Sequence, residues 1–284
     1  MGELTMGKKS NGFSKDIVII IAIFAIMFFV NPTIGSILFW VYIVFKAIMN
    51  RDVLAAFMAN SAYRKYRYES AISWYKKAAL TKVSKSKIIA NYVFLELKHG
   101  DVKEADKVFT TLTSERKFKD KDLQNLKMAE ALIEWKKGNI DKAIEVLEQL
   151  QDSDRTSSVL ETLGYFLIVR GDLDVALKFN EDALSKYEDS SIIRANLGEI
   201  YYKLGDYEKS KELLIKLINE HVNFAEPYYF SALILAEEDK KEASIELLRR
   251  ASKLEESFLS NLNKDIIDNK LEELIITEGK LGEY

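Results

Sequence analysis

Residues Ser191 to Phe224 read SIIRANLGEIYYKLGDYEKSKELLIKLINEHVNF. Two amphipathic stretches, SIIRANLGEIYYKL and EKSKELLIKLI, flank the pair Gly205-Asp206. A glycine just past a helix ends it, because glycine accepts the left-handed backbone that other residues resist. An aspartate there starts the next helix, because its carboxylate accepts backbone N–H groups that have no helical partner. Ser210, five residues after the glycine, falls inside the second helix, where a small side chain allows close approach of the first. The stretch therefore predicts a helix–turn–helix unit of 34 residues.

The phrase recurs. Gly100-Asp-Val-Lys-Glu-Ala105, Gly138-Asn-Ile-Asp-Lys-Ala143 and Gly171-Asp-Leu-Asp-Val-Ala176 align with Gly205-Asp-Tyr-Glu-Lys-Ser210, at spacings of 38, 33 and 34 residues. One period before Gly100 stands Tyr66 in YRYESA, and one period after Gly205 stands Asp239 in DKKEAS. Both are degraded copies. A period near 34 means that each unit is a helix pair whose apolar face is covered by its neighbours.

At this point the chain resembles the tetratricopeptide repeat family. That family sets large apolar residues at positions 4, 7 and 11 of its 34-residue unit, small residues at 8, 20 and 27, and often proline at 32. Residues 191–224 match through Leu197, Gly198, Tyr201, Gly205, Tyr207 and Ser210, and residues 157–190 through Leu160, Leu163, Gly164, Gly171, Ala176 and Ala183. Residues 225–258 supply Tyr228, Ala232, Leu235, Ser244 and Ala251. Residues 124–156 fit through Ala131, Gly138 and Ala143, and residues 86–119 through Gly100, Ala105 and Phe109. Residues 52–85 fit more loosely through Ala59, Ala62, Tyr68, Ala71, Tyr75 and Ala78. Proline at position 32 is missing throughout. The insertion SERKFKDKD around Lys119–Leu123 breaks the period and is expected to form a longer loop. The tail, with IIDNKLEELII, is expected to be a capping helix.

Upstream of the repeats, Ile17 to Phe45 is almost free of charge: IVIIIAIFAIMFFV, then NPTIGS, then ILFWVYIVF. It has no polar stripe, so it does not read as a buried soluble helix. It reads as a membrane segment. Asn31-Pro32 and Gly35-Ser36 are turn formers in its middle. Lys8, Lys9 and Lys15 precede it; Lys46, Arg51, Arg64, Lys65 and Arg67 follow. Positive residues favour the cytoplasmic side, so both flanks ask for the same side. A helical hairpin with both ends cytoplasmic is favoured over a single tilted or kinked span. No proline, and no glycine except Gly35, lies between Ile34 and Tyr63, which predicts that the second arm runs directly into the first repeat.

The expected architecture is all-α: a short basic segment over 1–15, a membrane anchor over 16–50, an α-solenoid of about six helix pairs over 51–258, and a capping helix over 259–284. The expected location is the cell membrane, integral, with the repeats cytoplasmic.

Charge is uneven. Residues 1–90 hold 13 Lys/Arg and 4 Asp/Glu; the remainder holds 28 and 40. The basic end suits anionic lipid, with Arg64, Lys65, Arg67, Lys76 and Lys77 as candidate headgroup contacts among Tyr63, Tyr66, Tyr68, Trp74 and Tyr75. The acidic end repels phosphate and argues against nucleic acid. The chain has no cysteine, and it has no phosphate-cradling glycine loop, nucleophile triad or zinc spacing. Glu96-Leu-Lys-His99 has the Glu-x-x-His spacing of helical di-iron sites but lacks the second copy that such sites need. Asp120-Lys-Asp122 and Asp152-Ser-Asp154 read as solvated turns. No catalytic residue, metal or cofactor is expected.

The resemblance implies an extended concave groove, lined by the first helix of each pair, that receives peptides or partner helices. Carried over by position, the groove residues are Met128, Leu132 and Trp135, then Glu161, Tyr165 and Ile168, then Ala195, Glu199 and Tyr202, then Tyr229, Leu233 and Ala236. Each of these could equally pack between units. Glu161 and Glu199 oppose a partner carboxylate, so a basic or apolar protein segment is expected. The reading is a membrane-tethered scaffold. Its rival is a structural protein whose hairpin wedges into the bilayer while the repeats self-associate.

Overall fold

The computed structural model describes residues 11–82, 84–150 and 155–281. Every regular element among them is helical. The chain forms two compact units, Met1–Ile88 and Ile89–Tyr284.

The first unit opens with α1 (Asn11–Phe29) and α2 (Pro32–Met49). They lie antiparallel: Phe24 meets Phe39, and near the open end Asp16 accepts hydrogen bonds from Tyr42 Oη (3.0 Å) and Lys46 Nζ (2.7 Å). Asn31 makes the turn, its Oδ1 accepting the N–H groups of Thr33 and Ile34 at 2.9 and 3.1 Å. Pro32 follows at the first position of α2, where no N–H is needed. Gly35 is not a turn residue as the sequence suggested. It is buried within α2, and a Cβ there would collide with the α1 backbone at Met27. Gly35 therefore permits helix–helix contact; the turn is made at Val30-Asn31, ahead of Pro32.

The second arm does not run unbroken into the repeats. α2 ends at Met49, and α3 (Arg51–Tyr63) begins after a single non-helical residue, Asn50. Asn50 Nδ2 donates to the Lys46 carbonyl at 2.8 Å. A side chain that competes for helix carbonyls interrupts a helix without proline or glycine. α4 (Tyr68–Ala79) packs on α3 to complete the first pair.

The second unit contains nearly all of α5 (Ser86–His99), then α6 (Val102–Glu115), α7 (Asp120–Lys136), α8 (Ile140–Glu148), α9 (Ser157–Arg170) and α10 (Leu173–Lys186). It continues through α11 (Ser191–Leu204), α12 (Tyr207–Asn219), α13 (Glu226–Glu237), α14 (Lys241–Ala251) and the terminal α15 (Lys264–Leu281). Six helix pairs and a final helix thus follow the hairpin in sequence. The expected long loop at 114–122 is absent: only Arg116–Lys119 are non-helical, and the inserted residues lengthen α7 instead. Asp120 and Asp122 lie in its first turn, where negative charge complements the helix dipole. Asp152 and Asp154 lie outside the described residues.

The recurring phrase is explained atom by atom. Gly138, Gly171 and Gly205 have φ of 85°, 96° and 80°. Tyr66 and Asp239, the residues that replace glycine in the degraded copies, are left-handed too, at 56° and 60°. The turn geometry is imposed by the repeat even where the residue is unsuited to it. Asp101, Asp172 and Asp206 each accept the N–H three residues on. The small residues Ala71, Ala105, Ala143, Ala176, Ser210 and Ser244 are all 0% exposed. Ser210 Oγ donates to Gly198 O at 2.8 Å, and Ser244 Oγ to Ala232 O at 2.7 Å. Each serine ties the two helices of a pair where their backbones come close.

One consequence is measurable. Asp239→Gly relieves a left-handed non-glycine residue and should raise stability by about 0.5–1 kcal/mol. Gly205→Ala imposes that conformation on alanine and should lower it by about 1 kcal/mol or more. Urea titrations of both variants check the pair of signs.

Candidate functional site: the concave groove

First helices of successive pairs touch one another, α9 against α11 and α11 against α13. In stacked helix pairs of this kind the first helices line the concave side. Two buried asparagines help fix them. Asn180 Nδ2 donates to Gly164 O at 3.3 Å and Ala176 O at 2.8 Å; Asn196 Nδ2 donates to Glu161 O and to Asn180 Oδ1, both at 3.2 Å. A Cβ on Gly164 would collide with Asn180. The ladder satisfies each amide inside the stack, where an unpaired one would be costly.

The groove is partly filled, and the filling comes from this chain. Between α14 and α15 the connection Ser252–Asn263 carries no regular helix. Its Phe258 enters an aromatic slot: the ring lies 5.7 Å from Trp135 and 4.7 Å from Phe94, both edge-on. Lys136 Nζ sits 4.8 Å from the Phe258 centroid and 4.2 Å from that of Trp135. These are geometries in which the positive ring edge and the cation meet ring faces. Ser257 Oγ donates to Glu226 Oε2 at 3.4 Å. Glu256 Oε1 accepts the Lys264 N–H at 2.8 Å, and Asn263 Oδ1 accepts that of Ile266 at 2.9 Å, so the connection also starts α15. Ile267 and Leu274 of α15 then bury against Ala225, Tyr228 and Leu248.

A cavity of about 470 Å³ borders this connection, with Glu161, Tyr165, Ala195, Glu199, Glu226 and Phe258 in its wall. A second, of about 260 Å³, includes Tyr165, Ile168, Glu199, Tyr229 and Ser260. Of the groove residues expected from sequence, Trp135, Glu161, Tyr165, Ile168, Ala195, Glu199 and Tyr229 are therefore brought to one place. Leu132 is buried, and Met128 is half-buried. Tyr202 stacks with Tyr207 and meets Phe230, Leu233 packs on the Leu214–Phe230 cluster, and Ala236 packs on the Tyr228 cluster. Phe94, Lys136, Glu226 and Phe258 were not foreseen. From sequence, Ser257 and Phe258 fall in the last repeat and the capping helix begins at 259, whereas the terminal helix starts at Lys264 and SFLSNLN belongs to the connection.

The electrostatics are acidic. Glu199 pairs with Lys203 at 2.7 Å, and Glu161 Oε1 accepts from Ser157 at 2.5 Å and Ser190 at 2.7 Å. Burial first, and then the Glu199 carboxylate, push the Tyr165 phenol above its ordinary value. Burial likewise raises the Glu226 carboxyl above the usual 4.5, with Glu199 adding to the shift and Ser260 and Ser257 opposing it. A raised carboxyl binds its proton more tightly in the closed groove than in an open chain. The stabilisation it gives is complete below pH 4.5 and is lost as pH rises through the raised value. Glu226→Gln should therefore flatten the pH dependence of hydrogen exchange in residues 255–263 and slow that exchange at neutral pH.

Glu96 of the Glu-x-x-His sequence serves the adjoining turn. Glu96 Oε1 accepts the Asp101 N–H at 3.2 Å. Glu134, also four residues before its glycine, accepts instead from the side chains of Asn139, Lys137 and Lys142. In the first unit, Arg64, Lys65 and Arg67 are exposed on the α3–α4 turn, Lys76 is half-buried, and Lys77 lies 4.6 Å above the Trp74 ring.

Tetratricopeptide repeat family models match residues 128–191 and 167–234. Together the two matches span residues 128–234, and that stretch is similar to tetratricopeptide repeats. Over 118 residues, 40% of this chain, the sequence is 27% identical to mouse (Mus musculus) Superkiller complex protein 3, of which the match spans only 8%. A tetratricopeptide repeat protein from Parabacteroides merdae superposes with a TM-score of 0.50 at 15% identity, covering 79% of this chain and 98% of that one. A chain of the APC/C hetero-tetramer Cut9–Hcn1 gives 0.59 at 17% identity, covering 81% and 44%. At such identities the likeness concerns the fold. Proteins with this repeat are in general interaction scaffolds, not enzymes.

Proposed function

We propose that this chain is a membrane-tethered tetratricopeptide scaffold that holds an extended segment of a partner protein on its concave face. The observation that carries the reading is the docked connection 255–263: the inner face accommodates irregular polypeptide, with an aromatic slot and an acidic wall. A basic or apolar partner segment suits that wall, since a second carboxylate would meet Glu161, Glu199 and Glu226.

The tether is the α1–α2 hairpin. α2 is long and apolar enough to cross a membrane, and its Ile37, Trp40, Val41, Val44, Phe45 and Ile48 are exposed. So much uncovered apolar surface asks for lipid or protein around it. Arg64, Lys65 and Arg67 would meet anionic headgroups on the cytoplasmic side, and the repeats would face the cytoplasm. The arm lengths favour this over the leaflet-wedge alternative: α1 and α2, of 19 and 18 residues, are roughly 27–29 Å long, close to a hydrocarbon core of about 30 Å.

The test uses charge. Glu199→Lys with Glu226→Lys should abolish capture of the bound partner from native membranes, whereas Glu181→Lys on the outer helix α10 should not. Equal capture by both variants would remove the groove from the account.

A further inference from the structure

The connection between α14 and α15 is longer than closure of that turn requires. Connections that leave one pair for the next helix elsewhere in the second unit are shorter, for example four residues at Arg116–Lys119 and Tyr187–Ser190 and six at Glu220–Ala225. Here Ser252–Asn263 leaves α14, reaches across to α5 and α7, and returns to start α15 on α13 and α14. A simple cap does not need that excursion. Its contacts are those of a ligand: one aromatic anchor in a slot built by Phe94, Trp135 and Lys136, and polar residues laid along the groove.

The fit is uneven. Phe258 satisfies the slot. In the acidic wall beside it, Glu199 is paired with Lys203, but the neighbouring Glu226, which is set in the groove, receives the hydroxyls of Ser257 and Ser260. Of the cations nearby, Lys203 is paired with Glu199 and Lys136 lies over the rings, while Lys98 lines the cavity at its Phe258 end together with Glu255 and Glu256. A buried carboxylate is served far better by a charged donor than by a hydroxyl. The segment therefore fills the groove without meeting its strongest electrostatic demand.

We propose that residues 255–263 are an intramolecular ligand of the groove, and that the partner segment displacing them carries an aromatic residue for the Phe258 slot and a basic residue at the position of Ser257 or Ser260. This rests on the groove reading above and names the chemistry of its partner. Tethering gives the chain's own segment a high effective concentration, so it excludes weak ligands. A competitor with the additional ion pair overcomes it.

The experiment uses the full chain in nanodiscs and fluorescent peptides spanning residues 254–264. The native peptide should bind the Phe258→Ala chain at least about ten-fold tighter than the wild-type chain, because the slot is vacated. Phe258→Trp keeps the slot filled and should behave as wild type. A peptide with Ser260→Arg should bind the Phe258→Ala chain tighter still, by about ten-fold, and lose that gain with Glu226→Gln or at high salt. Far-ultraviolet circular dichroism checks that each variant is helical. Equal affinity for wild-type and Phe258→Ala chains, or no binding to a folded Phe258→Ala chain, overturns the intramolecular ligand. An arginine peptide no better than the native one overturns the basic partner. Either failure leaves the groove reading standing if the Glu199/Glu226 charge reversals still abolish partner capture.

Discussion

Trp135→Ala should destabilise the second unit by about 3–5 kcal/mol, the range for emptying a buried tryptophan site. Trp135 is 9% exposed and contacts the rings of Tyr165, Phe166 and Phe258 at 6.3, 5.8 and 5.7 Å. It joins the third helix pair, the fourth pair and the docked connection. In a stacked array, stability is a sum over units and their interfaces, so the loss is local. Hydrogen exchange should accelerate in α7, α9 and residues 255–263, while α11 to α14 stay protected. Trp135→Phe keeps an aromatic in the slot and should cost less than half as much. Uniform acceleration across all the repeats would show that Trp135 has no special place at the groove.

Removal of residues 17–45 should release the chain from membranes entirely. Each exposed Ile, Val, Phe or Trp of α2 gains about 1.5–3 kcal/mol on transfer from water to an apolar environment, and the six named above together exceed about 9 kcal/mol. Retention of that size survives alkaline carbonate. The intact chain should float with vesicles in a density gradient, and the shortened chain should stay at the bottom. Gly35→Leu is a finer probe. A side chain there forces α1 from α2 at Met27, so the hairpin should open although its hydropathy rises. A distance label pair on the two arms would report the separation. An intact chain that stays in the soluble fraction would take the membrane out of the account.

The repeat was legible because its physics is local. Gly171-Asp172 and Gly205-Asp206 announce helix ends through backbone sterics and one side-chain hydrogen bond, which any window of sequence displays. The same logic reached Tyr66 and Asp239, where register placed a left-handed turn that composition would never suggest. The small residues at the helix crossings were legible for the same reason. What the sequence hid depends on partners distant along the chain. Asn50 breaks a helix through a side chain, and Gly35 is set by the proximity of Met27. The insertion at 114–122 could lengthen either a loop or α7, and nothing local distinguishes the two. Above all, Phe258 finds Phe94 and Trp135 across more than a hundred residues. A capping helix could be read from IIDNKLEELII, but not the strand of polypeptide that crosses the groove to reach it.

The claim at the centre is that a partner protein lies along the concave face. Photo-crosslinking amino acids at Tyr229 and Ile192, which border the groove, and at Glu181 and Glu212, on the outer helices α10 and α12, test it in the full chain in native membranes. The account predicts a discrete crosslinked species from Tyr229 and Ile192 that the Ser260→Arg peptide competes away, and none from Glu181 and Glu212. The same species formed from the outer positions and absent from the inner ones would contradict it.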